Sequence, residues 1–355
     1  MIYREAGQFK TSYAADGRIF PIRQDRAAIA VLLGFAFIVV PLIGNDYWLG
    51  AILIPFLILS LAALGLNILT GYAGQVSLGS AAFMAVGAFA AFNLMQRVPG
   101  LPVLVAFAGA GLVAAGVGIV FGLPSLRIKG FYLAVTTLAA QFVIEWVLTK
   151  FAWFSNYNPS GVISAQKMVI WGVRLEKPVS RYLLTLSIVS LLALAAKNLV
   201  RSRAGRAWMA VRDMDVAAAV IGIPLLRTKL AAFAVSSFYC GVAGALWAFA
   251  YLGSVEPQAF DLTRSFQILF MIIIGGMGSI LGSFLGAAFI VLLPILLSVA
   301  THAFLSGGVS QTLVSNLELM VFGALIIFFL AVEPHGLARL WQTSKEKLRL
   351  WPFPH

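Results

Sequence analysis

The sequence contains little charge and few of the groups that build soluble catalytic sites. Only 11% of its 355 residues are charged and 61% are hydrophobic, against roughly 25% charged in soluble domains. Cys240 is the only cysteine, so an intrachain disulfide is excluded, and we expect a small buried hydrophobe there. His302, His335 and His355 lack cysteine or carboxylate partners at metal-ligand spacing, so no metal site is expected. Such a chain needs lipid as its solvent.

Two further absences concern targeting and nucleic acid. The first 26 residues contain no short apolar core followed by a small-residue cleavage site, which argues against a cleaved signal peptide. The net charge of +12 would suit a nucleic-acid partner, but the basic residues lie at the ends of apolar runs rather than on one basic face. We therefore attribute them to membrane orientation and expect no nucleic-acid partner.

Apolar runs long enough to cross a bilayer follow one another along the chain. A spanning helix needs about 20 mostly apolar residues, because about 30 Å of hydrocarbon is covered at about 1.5 Å per residue. The sequence therefore predicts an all-α polytopic membrane protein with about ten transmembrane helices, some of them discontinuous. The predicted spans lie near 27–44, 48–69, 80–96, 101–122, 131–149, 181–199, 230–252, 265–281, 283–300 and 313–332.

The basic residues divide the connections between spans into two sides. Most of the 25 lie in the N-terminal tail (1–26), the loop near 123–130, the segment 201–229 and the C-terminal tail (333–355), which share one side if the spans number ten. The positive-inside rule then predicts cytoplasmic termini around a membrane domain at 27–332. The loop at about 150–180 is expected outside despite its basic residues, because long loops translocate with less regard to charge.

Two groups of glycines interrupt the predicted helices. The first glycine cluster is GYAGQVSLGSAAF, residues 71–83, and the second is IIIGGMGSILGSFLGAAF, residues 272–289. Non-helical backbone in a bilayer must be buried in protein or line a wet cavity, so the clusters predict a substrate pathway. Close helix packing is the alternative, and it fits Gly282 and Gly286 well. Asn67 and Gln141 are expected to form interhelical hydrogen bonds. The residues assigned to the pathway are Gly71, Gly74, Gln75, Ser77, Gly79, Gly275, Gly276, Gly278 and Ser279.

The amphipathic segment, residues 201–229, is too charged to span a bilayer and too apolar for a solvated linker. Its apolar residues recur at helical spacing, which predicts one helix from about Arg206 to Ile221, stopped by Gly222 and Pro224. Such a helix either lies on the membrane surface or docks into a partner's groove.

Four stretches resemble a known family, the M-type permease subunits of ATP-binding-cassette importers for branched-chain amino acids. They are GLNILTGYAGQVSLGSAAFMAVGAFAA (65–91), SRAGRAWMAVRDMDVAAAVIGI (202–223), FMIIIGGMGSILGSFLGAAF (270–289) and VEPHGLARLW (332–341). The similarity runs from about residue 50 to 341. It implies a type II importer permease fold in the bacterial inner membrane.

The resemblance also implies partners and coupling residues. A full importer would contain a second permease subunit, of the H type and thus a heterodimer, two cytoplasmic ATPase subunits and a periplasmic substrate-binding protein. Val216 departs from the wider importer pattern, which has glutamate before Ala217 and Ala218. The residues implied in ATPase coupling are Gly205, Arg206, Arg212, Asp213, Ala217, Ala218 and Gly222.

The implied cargo is a branched-chain or other neutral amino acid. The external stretch FSNYNPSGVISAQ (154–166) lacks the glycine-rich run expected there, so urea or short amides and aromatic or other carboxylates stay open as cargo.

The energy source is the remaining question. The chain has no GxxxxGK[ST] phosphate loop, so we expect no ATPase site or cofactor in it, and ATP hydrolysis by partner subunits. An ion-coupled secondary transporter is the alternative class, and it would need an intramembrane carboxylate, for which Glu145 and Glu318 are the candidates. An intramembrane enzyme fits less well, since Ser77 and Ser279 have no His or Lys base at suitable spacing.

Overall fold

The computed structural model describes residues 11–12, 23–125, 132–158, 162–166, 168–170, 173–304 and 336–350, with part of 316–328. Apolar runs form helices because a helix satisfies its own backbone hydrogen bonds, which lipid cannot do. In the described residues, the helices are α1 (Gln24–Ile43), α2 (Trp48–Tyr72), α3 (Ser80–Arg97), α4 (Val103–Ser125), α5 (Tyr132–Lys150), α6 (Pro178–Arg201), α7 (Arg203–Asp213), α8 (Asp215–Val220), α9 (Leu225–Leu252), α10 (Leu262–Gly275), α11 (Ile280–Phe304) and α12 (Gly336–Leu350).

The all-α polytopic architecture predicted from the sequence is confirmed. Within the described residues, seven helices are long and apolar enough to cross a membrane: α1, α2, α4, α5, α6, α9 and α11. Each coincides with a predicted span, and α3 occupies the predicted span at 80–96. The predicted span at 313–332, with Glu318, and residues His335 and His355 lie largely outside the described residues.

The predicted span at 265–281 is wrong. The chain forms only a 14-residue helix there, α10, which ends at Gly275. At about 1.5 Å per residue it covers about 21 Å, less than the hydrocarbon thickness of about 30 Å. The helix stops because Gly276 and Gly278 adopt φ values of 114° and 76°, which L side chains rarely adopt. α10 is therefore a half-helix that ends inside the bundle.

The amphipathic segment forms two helices, so the single predicted helix is also wrong. Met214 is extended, with φ −158° and ψ 98°, and separates α7 from α8. The turn brings Asp215 to within 3.7 Å of Lys229 on α9 and buries Ala218. These contacts are tertiary, so helical periodicity did not reveal the break. The predicted stop is confirmed, since α8 ends at Val220 and Gly222 has a φ of 89°.

Short strands mark the end of the bundle opposite α7. β1 (Ile163–Ser164) pairs antiparallel with β4 (Ser254–Val255), and β2 (Val169–Ile170) pairs with β3 (Val173–Arg174). β4 directly follows α9, and β1 to β3 lie between α5 and α6. We call this the β1 end, and the opposite end, where α7 and α8 lie, the α7 end.

The core of the bundle forms around α9, which packs against α2, α3 and α4. Small residues allow the approach: a methyl group at Gly87 would meet the backbone of Gly241, and one at Gly244 would meet that of Met84. Such contacts let helix backbones cross closely in membranes. Cys240 is 1% exposed, as expected for a buried hydrophobe.

Candidate functional site

Asn67 of α2, four residues before the first glycine cluster, binds the second glycine cluster. Its Nδ2 donates to the Ser279 carbonyl oxygen at 2.7 Å and to Ser283 Oγ at 2.9 Å, and its Oδ1 accepts from the Gly278 N–H at 2.8 Å. The side chain is fully buried. The interhelical bonding predicted for Asn67 is therefore confirmed, and it holds the loop between α10 and α11 against α2.

Arg212 of α7 reaches the same place from the amphipathic segment. Its Nη1 donates to the Gly71 carbonyl oxygen at 2.8 Å, while its Nε and Nη2 bind Asp213 Oδ1 at 2.9 and 2.8 Å. Asp213 thus orients the guanidinium toward the glycine clusters. We call Asn67, Gly71, Gly74, Arg212 and Gly278 the junction, because they join α2, α7 and the loop after α10.

Glycine is required at two junction positions. A Cβ on Gly71 would meet the backbone of Gly278, so the two clusters touch only because Gly71 lacks a side chain. Gly74 has a φ of 69°, and a Cβ there would lie 2.8 Å from Arg212 Cγ. Gly74 therefore combines left-handed backbone with close approach of α7.

Three other residues assigned to the pathway in the first cluster, Gln75, Ser77 and Gly79, are buried in protein. Gln75 Nε2 donates to the Lys229 carbonyl oxygen at 3.4 Å, and Ser77 Oγ accepts from the Gly79 N–H at 3.4 Å. A Cβ on Gly79 would lie 2.7 Å from the Thr137 carbonyl oxygen. These contacts anchor residues 75–79 to α9 and α5.

The second cluster serves packing as well as the junction. A methyl group at Gly286 would meet the Met271 backbone, and one at Gly275 would meet that of Gly282. The packing interpretation is thus confirmed for Gly282 and Gly286. Ser279 Oγ accepts from the Gly282 N–H at 3.1 Å at the start of α11.

Gly276 packs against the start of α12. A Cβ on Gly336 would lie 2.6 Å from the Gly276 nitrogen. The C-terminal helix therefore begins at the loop that carries the junction's Gly278.

The four predicted coupling residues of α7 fall into two groups. Gly205 and Arg206 stabilise the turn between α6 and α7: the Gly205 N–H donates to Ser202 Oγ at 3.4 Å, and Arg206 Nη1 donates to the Arg201 carbonyl oxygen at 2.8 Å. Arg212 and Asp213 belong to the junction. Sequence reasoning missed Trp208, which is 1% exposed and anchors α7 by donating from Nε1 to the Thr228 carbonyl oxygen at 3.0 Å.

α8 presents an apolar surface outward. Val216 is 66% exposed, Val220 83% and Ile221 73%, and Ala217 is exposed too. Only Ala218 of this short helix is buried. The amphipathic segment therefore offers a compact apolar patch beside the junction, next to the left-handed Gly222.

A second feature, which we call the outer cavity, was not anticipated from the sequence. It measures about 760 Å³ near the β1 end, between α2, α9, α10 and α11. Its polar lining includes Glu256, Arg264 and Gln267, while Trp247 and Phe270 belong to its apolar wall. Arg264 carried a signal in the sequence, because a basic residue inside an apolar run is a functional candidate by default.

The remaining predicted polar residues act structurally. Gln141 Oε1 accepts from the Ala82 N–H at 2.7 Å and from Ser265 Oγ at 3.1 Å, and its Nε2 donates to the Phe260 carbonyl oxygen at 2.8 Å. This confirms the interhelical bonding expected of Gln141. Glu145 does not line the outer cavity. In the part of the chain that the structure describes, no cluster of three or more His, Cys, Asp or Glu side chains could hold a metal ion.

Comparison with known proteins assigns the family. A family described as "Branched-chain amino acid transport system / permease component" matches residues 48–330. The high-affinity branched-chain amino acid transport system permease protein LivM of Escherichia coli is 29% identical over 297 residues, which cover 77% of this chain and 66% of that relative. This chain thus spans slightly less than two thirds of that protein.

Two further relatives match over similar lengths. The probable branched-chain amino acid transport permease protein LivM of Methanocaldococcus jannaschii is 24% identical over 323 residues, 81% of this chain and 92% of the relative. The autoinducer 2 import system permease protein LsrC of an Enterobacter species is 29% identical over 271 residues, 74% of this chain and 75% of the relative. No solved structure matches significantly. Because the family match covers most of its length, this chain belongs to the family of branched-chain amino acid transport system permease components.

Proposed function

We propose that this chain is a permease subunit of an ATP-driven importer and forms part of its passage for branched-chain amino acids. Membership of the permease family and the relatives described as LivM support this cargo. The observation that carries the mechanism is the 2.8 Å hydrogen bond from Arg212 to the Gly71 carbonyl oxygen. It links the amphipathic segment directly to both breaks in the membrane helices.

Coupling would begin at the exposed apolar surface of α8. Val216, Val220 and Ile221 would dock into a groove of a cytoplasmic ATPase subunit. Movement of α8 would carry α7 and Arg212 with it, and so displace Gly71 and the Gly278 loop. Since that loop ends α10, the half-helix would shift beside the outer cavity. Transport needs two such arrangements, and ATP binding would shift the equilibrium between them.

The assembly we propose contains a second permease subunit of the H type, two ATPase subunits that hydrolyse ATP, and a periplasmic binding protein. The chain itself would bind no cofactor. The missing phosphate loop supports an ATPase site on other subunits. The predicted pathway residues would act through the junction rather than by lining the outer cavity.

The proposed orientation places the α7 end, both termini and α12 on the cytoplasmic side of the inner membrane. Lys345 Nζ lies 3.2 Å from Asp25 Oδ1, which brings α12 to the start of α1. The basic residues of the amphipathic segment lie at this end, as the positive-inside rule requires. The β1 end would then face the periplasm and meet the binding protein.

The test is leucine uptake by the complete importer in proteoliposomes, measured together with ATP hydrolysis. Arg212→Gln should lower uptake at least about tenfold, because a charge-assisted hydrogen bond at the coupling contact is lost, while basal hydrolysis continues. Arg203→Gln is the matched control: it removes one positive charge from an exposed position on the same helix and should transport normally.

Two results would contradict the proposal. Normal uptake by Arg212→Gln would remove the junction from the coupling path. Uptake that follows an imposed ion gradient without ATP would instead support the secondary-transporter class.

A further inference from the structure

The outer cavity has the size and position of a small-molecule site. Its volume of about 760 Å³ falls within the range of roughly 300–1,000 Å³ typical of ligand pockets. The outer parts of α2 and α11 contribute Pro55 and Pro294, and the end of α9 contributes Tyr251. Because α10 forms one wall, the cavity and the junction share the same half-helix.

Arg264 is held in this cavity by three contacts. Its backbone N–H donates to Asp261 Oδ1 at 2.9 Å, its Nη1 donates to Gln267 Oε1 at 2.9 Å, and its guanidinium carbon lies 4.5 Å from the centre of the Trp247 ring. Stacking on an indole restricts the guanidinium to one plane. The helix is wholly apolar from residue 268 to 275, and a basic residue beside such a run is a functional candidate by default.

The guanidinium keeps donors for a ligand. Among the described residues no carboxylate lies within ion-pair distance of the Arg264 guanidinium, and Asp261, the nearby carboxylate, accepts from the Arg264 backbone N–H. A guanidinium has five N–H donors in a rigid fork that matches a carboxylate in two parallel bonds. The Gln267 contact uses only one of its terminal nitrogens. The geometry thus suits a ligand that carries a carboxylate.

Glu256 supplies the opposite charge in the same cavity. It precedes the short helix Pro257–Phe260 and lines the cavity together with Arg264. No ion pair involves it within the described parts of the chain. The rest of the lining is largely apolar and includes Leu59, Ile290 and Val291. One cavity therefore offers a cation, an anion and a branched aliphatic wall.

We propose that the outer cavity is a transient binding site for a zwitterionic aliphatic amino acid on its way through the permease. Arg264 binds the α-carboxylate, Glu256 binds the α-ammonium group, and the aliphatic and aromatic wall contacts the side chain. This site rests on the proposed import function and adds a recognition step within the permease itself. α10 connects it to the junction, so displacement of Gly278 shifts Arg264 and weakens the site.

Thiol labelling tests the site directly. Ala259 lines the cavity, and the native thiol, Cys240, is 1% exposed, so Ala259→Cys introduces a single accessible thiol in this chain, and labelling of this chain is measured after it is separated from its partner subunits. In the complete importer without ATP, leucine should slow its reaction with a soluble thiol reagent. Leucinol, which lacks the carboxylate, and isocaproate, which lacks the ammonium group, should each protect at least about tenfold less well, as the loss of one charge-assisted contact predicts. Thr263→Cys, at an exposed position in the same lining, repeats the experiment if the first variant folds poorly.

Charge-removing variants assign the contacts. In the Ala259→Cys background, Arg264→Gln should raise the leucine concentration for half-protection at least about tenfold, and Glu256→Gln should have a similar effect. Arg97→Gln is the matched control, because Arg97 also stacks on a tryptophan, 3.6 Å from the centre of the Trp153 ring, but lies outside the outer cavity. Protection should persist in that control.

Several outcomes would overturn the site. They are the absence of leucine protection, equal protection by leucinol, and protection that survives Arg264→Gln. Labelling that depends on anionic lipid in the vesicles, rather than on leucine, would assign the cavity to a lipid headgroup. ATP-driven leucine uptake by Ala259→Cys is measured in parallel. Normal uptake without protection refutes only the site, whereas absent ATP-driven uptake by the native importer refutes the import function.

Discussion

Replacing Gly74 by alanine tests the junction most directly. Its φ of 69° costs an L residue about 1–2 kcal/mol. The new Cβ would also lie 2.8 Å from Arg212 Cγ and 3.3 Å from Arg212 Cα, so α7 must move away. That movement weakens the 2.8 Å bond between Arg212 and Gly71, which adds about 0.5–1.5 kcal/mol. We expect a total destabilisation of about 1.5–3.5 kcal/mol.

Gly100→Ala provides the matched control. Gly100 has a φ of 80°, but no atom would lie within 4 Å of a Cβ there. It therefore carries the backbone cost of about 1–2 kcal/mol without the contact. The assay is thermal unfolding of the purified importer in nanodiscs, combined with leucine uptake in proteoliposomes. Gly74→Ala should melt lower than Gly100→Ala and transport about five- to tenfold more slowly, since about 1.4 kcal/mol of bias corresponds to a factor of ten.

A double variant tests whether Arg212 is the residue that the new methyl group at position 74 contacts. Arg212→Ala removes the Cγ atom that the new methyl group would meet, so Gly74→Ala should cost less in that background. The two effects must then be non-additive in the melting temperature. Equal melting temperatures for Gly74→Ala and Gly100→Ala, or strictly additive effects with Arg212→Ala, would refute the close approach of α7 to the first glycine cluster.

Two further predictions concern the helix contacts around the junction. Asn67→Leu leaves the Gly278 N–H without its acceptor, at a cost of about 1–3 kcal/mol, and should lower the melting temperature by several degrees. Ser60→Ala on the same helix loses only a hydrogen bond to the preceding turn and should change the melting temperature little. Similar melting temperatures of both variants would refute the bridging role of Asn67. Gly286→Val places a side chain against the α10 backbone and should reduce the yield of folded protein in membranes. Gly116→Val, where a Cβ meets no atom within 4 Å, should leave that yield unchanged. The yields are compared by size-exclusion chromatography of detergent extracts, and equal yields would refute close packing of α10 on α11.

The arrangement of spans was largely predictable, because membrane helices are local. Each of the seven long apolar helices in the described residues formed where about 20 apolar residues occur together. α10 was the exception. Its apolar run continues past Gly275, so composition predicted a span, but the positive φ values of Gly276 and Gly278 end the helix.

The candidate site was predictable only in its parts. The glycine clusters are visible in the sequence and contain Gly71 and Gly278, and the family resemblance of the amphipathic segment implies a coupling role for Arg212. Their contact was not visible, since the bond between Gly278 and Asn67 joins residues 211 positions apart. Arg264 is a functional candidate from the sequence alone, but only the structure places Trp247 and Glu256 in the same cavity with it.

The sequence by itself determined that this chain is an all-α membrane protein, roughly where its helices lie, and which of them are interrupted. These properties depend on hydrophobicity and backbone preference over a few turns, which neighbouring residues set. Only the tertiary structure decided that Arg212 contacts the first glycine cluster, that α7 and α8 separate at Met214, and that a cation and an anion share the outer cavity. Those features arise where distant helices meet, so local sequence patterns do not contain them.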